Sequence, residues 1–486
     1  MFLPIGVILS LGLLASPARA GDDACASIAR NFVTRIEDEY PGFPLEVVGR
    51  KREAWERYKD TQLQRARGAG GEGCHAILRD LAGFFGDPHL FVFQNTTLPA
   101  AETERRRATH DAETHTAWDE AAIRAALRRG HRDPIEGIWR DGRMRLGIVR
   151  SRTGREGFEA IVLGSDTATW EPGQRRATFT RRRDGAYDGQ VIERNLAHRT
   201  VVARVHRGVL LRLSPGLWGR EVPVAGPDSG QVDTLDAHRA TLVFRGDVPV
   251  LSIPSHDPAW RVALDRIMQA HRDTLARAPL VVLDLRGNEG GSAAVTFRLL
   301  EVVTGQRPVP LSVGADGPHV LAAPGLVDYV RARWRSVSPD SASALRLLDR
   351  MAAAPGQLVP LLDSLDAARR PAPPAPVPPE LASRRIGVLV DRGTVSAAEA
   401  FVTDLVRDPR VTVFGEPTAG ALDYQVVRIA SIGDSTRRFA IGIPVLAARR
   451  DLPRGGMRGT GIVPNQRLDV GRVRDPIGHV IDALRR

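Results

Sequence analysis

The stretch Leu280-Val-Val-Leu-Asp-Leu285 constrains this chain more than any other. It is apolar at consecutive rather than alternate positions, so a strand built from it must be covered on both faces, as the central strands of a parallel sheet are. It runs into the glycine-rich turn Arg286-Gly-Asn-Glu-Gly-Gly291 and then a helical stretch, Ser292 to Val303. The same plan recurs in the strand Arg385-Ile-Gly-Val-Leu-Val390, the turn Asp391 to Val395 and the helix beginning Ser396-Ala-Ala-Glu399. Strands alternating with helices predict an α/β fold for everything after about Pro249.

These two turns carry the chemistry. Glycines between a strand and a helix let backbone approach closely, and the free N–H groups at a helix start can stabilise an oxyanion. A tight turn with no ligand would use the same glycines. Ser396 is predicted at the carboxyl end of a strand and the start of a helix, where ligands bind in open α/β sheets. A nucleophile there would gain from the helix dipole and from the N–H of Ala397. Ser-Ala-Ala-Glu is equally a capping box, so spacing alone leaves Ser396 as nucleophile or as cap.

The 486 residues suffice for several domains. Residues 1–20 are an apolar run closing on Ala-Ser-Pro-Ala-Arg-Ala, which reads as a cleaved signal peptide. It stops short of the ~20 apolar residues a membrane span needs. An exported protein, periplasmic or extracellular, with no membrane span after cleavage is the expectation. Helical periodicity over 21–130 (Ile28, Phe32, Ile36; Ile77, Leu81, Phe85) predicts a helical N-terminal domain. Short alternating runs with Gly and Asp turns over 131–245 predict an antiparallel β domain, a barrel or a sandwich. Residues 246–486 form the α/β part, with an insertion at about 308–380 that ends in a proline tract and is read as a linker or lid border. Cys25 and Cys74 either close a disulfide in an oxidising compartment or remain two buried thiols.

The formal net charge is +11, and Lys51 and Lys59 are the only lysines. An arginine excess invites a nucleic-acid reading. The arginines are scattered, however, and neither an aromatic-basic stripe nor zinc spacing accompanies them. His75 beside Cys74 lacks a third ligand at metal spacing, so neither a metal nor another cofactor is predicted.

Val-Leu-Asp-Leu-Arg-Gly-Asn-Glu-Gly-Gly, then Gly-Thr-Val-Ser-Ala-Ala-Glu-Ala-Phe, then Gly415-Glu-Pro-Thr-Ala-Gly420 resembles the tail-specific (C-terminal processing) serine peptidases and their tricorn and retinoid-binding-protein relatives. The resemblance implies a ClpP/crotonase-like α/β hydrolase domain, with Ser396 as nucleophile and Gly290 or Gly291 with Ala397 as oxyanion hole. The tail-specific branch takes its base from a lysine where this chain has Ala421. The tricorn-like branch takes a histidine from an upstream Gly-Asp-x-His pattern, which maps onto His89 in Gly86-Asp-Pro-His89. An imidazole can take a serine proton at neutral pH.

This chain departs from that branch in two places. Pro88 replaces a serine before the histidine, and Met457-Arg-Gly-Thr460, with Arg458, lacks the glutamate that precedes the Gly-Val-x-Pro-Asp stretch, here Gly461-Ile-Val-Pro-Asn465. Orientation of His89 then falls to another group, with Asp423 and Asp87 as candidates. His256 is a reserve base, and Asp284 with Arg286 is expected to lock the loop. The implied function is a peptidase acting on peptides or unfolded proteins through an acyl-enzyme. The alternatives are a non-catalytic binding protein for apolar ligands or peptides, and a small-molecule esterase or amidase. The oligomeric state is not legible.

Overall fold

The computed structural model describes residues 24–94, 100–128, 133–152, 157–166, 170–193, 196, 198–213, 216–223, 237–306, 317–337, 342–363, 379–433 and 438–486. The signal peptide expected at 1–20 and most of the proline tract of the insertion lie outside them.

The described residues begin with four helices, α1 (Ala24–Glu39), α2 (Gly42–Glu46), α3 (Arg50–Ala66) and α4 (Gly71–Gly83). Ile28, Phe32 and Ile36 recur at helical spacing and are buried with Trp55, Leu78, Leu81 and Phe85. Cys25 and Cys74 are disulfide-bonded, which ties α1 to α4. The helices do not close this core among themselves: Tyr424, Ile432, Phe439, Ile441 and Ile443, from two strands near the other end of the chain, belong to the same cluster. Each fully buried side chain of this size contributes about 1.5–3 kcal/mol. That shared core fixes the helices against the C-terminal part. After α4 a short turn carries His89 into β1 (Phe91–Gln94).

Eight strands follow: β2 (Gly137–Arg140), β3 (Met144–Arg150), β4 (Phe158–Ser165), β5 (Arg175–Arg181), β6 (Tyr187–Ile192), β7 (His198–His206), β8 (Leu210–Leu213) and β9 (Gly216–Val222). Each pairs antiparallel with its successor, and β9 returns to β2, closing a barrel. Closure satisfies the edge N–H and C=O groups that an open sheet would expose. Trp139, Phe179, Tyr187 and Leu211 are among the side chains that fill it.

The remaining strands are β10 (Thr241–Arg245), β11 (Val248–Ser252), β12 (Leu280–Asp284), β13 (His319–Leu321), β14 (Leu358–Pro360), β15 (Arg385–Val390), β16 (Val411–Gly415), β17 (Tyr424–Gly433), β18 (Arg438–Ala447) and β19 (Gln466–Arg467). They make two sheets, so the chain is α/β with more than one sheet. One has the order β10-β11-β12-β15-β16-β19 and is parallel from β11 onward. The continuous apolar run of β12 has its expected consequence: Val281 and Leu283 pack on the helices Phe297–Thr304 and Ala397–Leu405, while Leu280 and Val282 pack on the helix Pro476–Arg485. In the second sheet β18 pairs with β1, β13 and β17, and β14 pairs with β13. Residues inside the expected insertion thus extend this sheet through β13 and β14. The helices Pro324–Val337 and Ala342–Ala353 pack there with Val445 and Leu446 of β18.

Candidate active site

β15 ends at Val390, and six residues later the chain turns through Ser396 into the helix Ala397–Leu405. Ser396 has φ 57° and ψ −116°. For a residue with a Cβ this conformation costs on the order of 1–3 kcal/mol and persists only where the surroundings enforce it. They do so from several sides. The N–H of Val395 donates to Asn288 O at 2.9 Å, and the Thr394 hydroxyl donates to Leu285 O at 3.0 Å. Glu399 Oε2 accepts the Ser396 N–H at 2.9 Å, which is the returning half of the capping box. The Ser396 hydroxyl is placed for the other half of the box yet makes no cap hydrogen bond of good geometry.

Glu399 does more than cap. Its side chain is fully buried. Oε1 accepts the Thr418 hydroxyl at 2.6 Å and the Gly420 N–H at 2.7 Å, and Oε2 also accepts the Ala421 N–H at 2.8 Å. Four donors therefore occupy one carboxylate, which joins the serine turn to the loop that leads into β17.

The glycine turn lies against the serine. Gly290 has φ 88°, and a Cβ on it would sit 2.7 Å from Val395 O, 2.8 Å from Ser396 Cβ and 2.9 Å from Ala397 N. Only glycine permits that approach. Its N–H is already given to Asn288 Oδ1 at 2.9 Å. The N–H groups of Gly291 and Ala397 have no hydrogen-bond acceptor among the described residues. Asp284 and Arg286 are fully buried and paired at 2.8 Å at the base of this loop.

His256 does not fit the reserve-base expectation. Its ring is fully buried, with Nδ1 2.9 Å from Asn288 Nδ2 and Nε2 3.3 Å from the Thr296 hydroxyl. Burial pushes its pKa down to about 4, against the upward pull of the Asn288 bond. Its backbone also brackets the glycine turn, donating to Gly290 O and accepting from Ser292 N–H. It is a neutral pin inside the turn.

His89 lies beside β17. Its Nδ1 is 2.6 Å from the backbone carbonyl of Tyr424. A carbonyl only accepts, so Nδ1 carries the proton and Nε2 presents its lone pair. That is the tautomer a general base requires. Neither predicted orienting acid hydrogen-bonds to the ring. Asp87 accepts the His89 backbone N–H at 2.9 Å and the Tyr40 hydroxyl at 3.0 Å, and burial pushes its carboxyl up. Asp423 accepts the N–H groups of Met457 and Arg458, at 2.7 and 3.0 Å. A main-chain oxygen holds the position expected for an acid.

No hydrogen bond joins Ser396 to His89 among the described residues. Both nevertheless attach to one segment: Glu399 ties Ser396 to Ala421, and Tyr424, which holds His89, is three residues further on, at most about 10 Å of chain.

Residues of the barrel also hold the glycine turn. Arg207 donates to Arg286 O at 2.9 and 3.0 Å and to the Ser252 hydroxyl at 2.5 Å, and Arg212 donates to Gly287 O at 3.1 Å. His206 Nδ1 is 2.9 Å from Asp391 Oδ2, while Asp391 Oδ1 accepts the N–H groups of Gly287 and Gly393.

Residues 247–467 match peptidase family S41. They form a serine peptidase domain. No curated protein matches the chain. Among solved structures, the chain is similar to mature CPAF at 15% identity, covering 95% of this chain and 96% of that one with a TM-score of 0.45. The photosystem II D1 C-terminal processing protease aligns at 12% identity over 92% and 94%, TM-score 0.34. The tricorn protease aligns at 12% identity over 96% of this chain and 37% of that one, TM-score 0.40. The S41 match spans β11 to β19 and so includes Ser396, both glycines and Tyr424, but neither His89 nor the barrel.

Proposed function

We propose that Ser396 is the nucleophile of this peptidase and His89 its general base. Ser396 Oγ attacks the scissile carbonyl, His89 Nε2 takes the hydroxyl proton, and the N–H groups of Gly291 and Ala397 receive the oxyanion. His89 then protonates the leaving amine, and water hydrolyses the acyl-enzyme by the same route in reverse. Of the two glycines only Gly291 suits the hole, because the Gly290 N–H is committed to Asn288. The observation that carries this reading is the pair of unengaged amides flanking a serine held in a strained corner. Preorganised donors of this kind contribute about 3–4 kcal/mol each to acyl transfer.

The proposed layout is a helical part that supplies the base, a barrel that braces the oxyanion turn, and a ClpP/crotonase-like hydrolase part that supplies the nucleophile. Substrates are peptides or unfolded proteins. We also propose that the protein is exported, a reading supported by the apolar run at its start and by the Cys25–Cys74 disulfide, since such bonds persist in oxidising compartments. No helix among the described residues is long and apolar enough to cross a membrane.

The test is covalent labelling of the purified chain with a fluorophosphonate, with the site read by mass spectrometry, beside release of new termini from a denatured protein. The label is expected on Ser396, and Ser396→Ala is expected to abolish both signals. Peptide release that survives Ser396→Ala removes Ser396 from the mechanism.

A further inference from the structure

Glu46 is the last residue of α2, and its side chain is almost fully buried although neither Ser396 nor His89 touches it. Oε1 accepts the Tyr424 hydroxyl at 2.7 Å, and Oε2 accepts Arg458 Nη2 at 2.6 Å and Lys51 Nζ at 2.7 Å. Burial works to raise its pKa, and the bonds from Arg458, Lys51 and Tyr424 overcome this and hold the carboxyl below its ordinary value. It is therefore a charged carboxylate sunk between the N-terminal helices and β17.

Tyr424 relays that anchor to the base. The hydroxyl at one end of the residue is held by Glu46, and the carbonyl at the other holds His89 Nδ1. The Tyr40 ring packs edge-on against the Tyr424 ring at 5.2 Å, and its hydroxyl holds Asp87, which accepts the His89 backbone N–H. The charged and titratable groups around this anchor are thus Asp87 from the turn of His89, Tyr40 just after α1, Glu46 from α2, Lys51 from α3, Asp423 just before β17, Tyr424 at its start, and Arg458.

We infer that Glu46 is a positioning residue for His89, fixing the Tyr424 residue whose carbonyl sets the imidazole tautomer and offsetting the half-buried Arg458 charge when the imidazolium forms. The inference rests on the reading of His89 as base. A carbonyl supplies only a partial charge to an imidazolium, whereas a nearby full negative charge stabilises the charged ring directly. Without Glu46, the Arg458 guanidinium loses the carboxylate that pairs with it at 2.6 Å, and the Tyr424 hydroxyl loses its acceptor.

The experiment measures kcat, KM and the pH profile of kcat/KM for the full chain on a denatured protein substrate. Glu46→Gln is expected to lower kcat about tenfold, the effect of one lost charge-assisted hydrogen bond. KM should change less than about twofold, and the acidic limb should move to lower pH, the direction expected when a negative charge is removed from the anchor of the base. Glu46→Gln with Arg458→Gln returns the limb to its original place. Tyr424→Phe, which keeps the carbonyl and the carboxylate, lowers kcat and leaves the limb unmoved. If Glu46→Gln changes only the unfolding temperature while His89→Ala is inactive, the inference is wrong and the base assignment stands. Full activity in His89→Ala removes both.

Discussion

Replacing Glu399 by Gln would keep the side-chain volume and exchange one acceptor oxygen for an NH2 group. Four donors converge on that carboxylate, two on each oxygen. Turned toward Oε2, the NH2 would face the N–H groups of Ser396 and Ala421, and neither can rotate away. Turned toward Oε1, it would meet the Gly420 N–H and the Thr418 hydroxyl. The hydroxyl can rotate to accept, leaving one stranded amide. The second arrangement is therefore the one adopted. A buried donor without a partner costs about 1–3 kcal/mol, and the bonds that survive lose their charge assistance, which roughly doubles a bond's strength. A loss of about 2–4 kcal/mol is expected, a sizeable share of the 5–15 kcal/mol typical of a folded domain. Because Ser396 N–H keeps an acceptor, the serine turn should survive and its fluorophosphonate labelling should slow without stopping. Urea unfolding gives the first quantity and the labelling rate the second. A stability change below about 0.5 kcal/mol with unchanged labelling would mean that this carboxylate does not hold the corner, and the account of Ser396 strain would fail.

His256 makes stability pH-dependent with a defined sign. Its folded pKa of about 4 lies below the unfolded value near 6.5, so the unfolded chain binds the extra proton first and stability falls as pH drops from about 6.5 to 4, by about 3 kcal/mol in all. Acid unfolding curves of His256→Asn should be flatter across that window, and equal slopes would refute the assignment. Gly290→Ala would drive a methyl to within 2.8 Å of Ser396 Cβ at a positive φ, so labelling at Ser396 should fall more than about 100-fold while the barrel stays folded by circular dichroism.

Part of this was readable from residue order because part of it is local. The double-sided burial of Leu280 to Leu285 and the strand, turn and helix that place Ser396 are local patterns. Contacts between distant segments are not, and the site depends on them. The His89–Tyr424 bond joins residues 335 apart in sequence, so no local pattern could show that a main-chain oxygen replaces an acid at the ring. Asp87 and Asp423 are reasonable candidates by proximity in sequence, but each carboxylate is engaged elsewhere, by backbone N–H groups or a tyrosine hydroxyl, and neither bonds the ring. His256 looked available because neither its complete burial nor its two partners can be seen in a polar tripeptide such as Ser255-His-Asp257. Glu399 was visible only as a cap, since Gly420 and Ala421 reach it across the fold. Glu46 carried no signal at all: Pro-Leu-Glu-Val reads as an ordinary helix end.

The pairing of β1 with β18 orders events during synthesis. The turn bearing His89 leaves the ribosome more than three hundred residues before the strand it must lie against, and until β17 and β18 exist its ring nitrogen has no Tyr424 oxygen to donate to. The nascent polypeptide therefore carries a histidine without its partner through most of its elongation, and the two halves of the proposed active site meet only when the second sheet closes across the length of the chain.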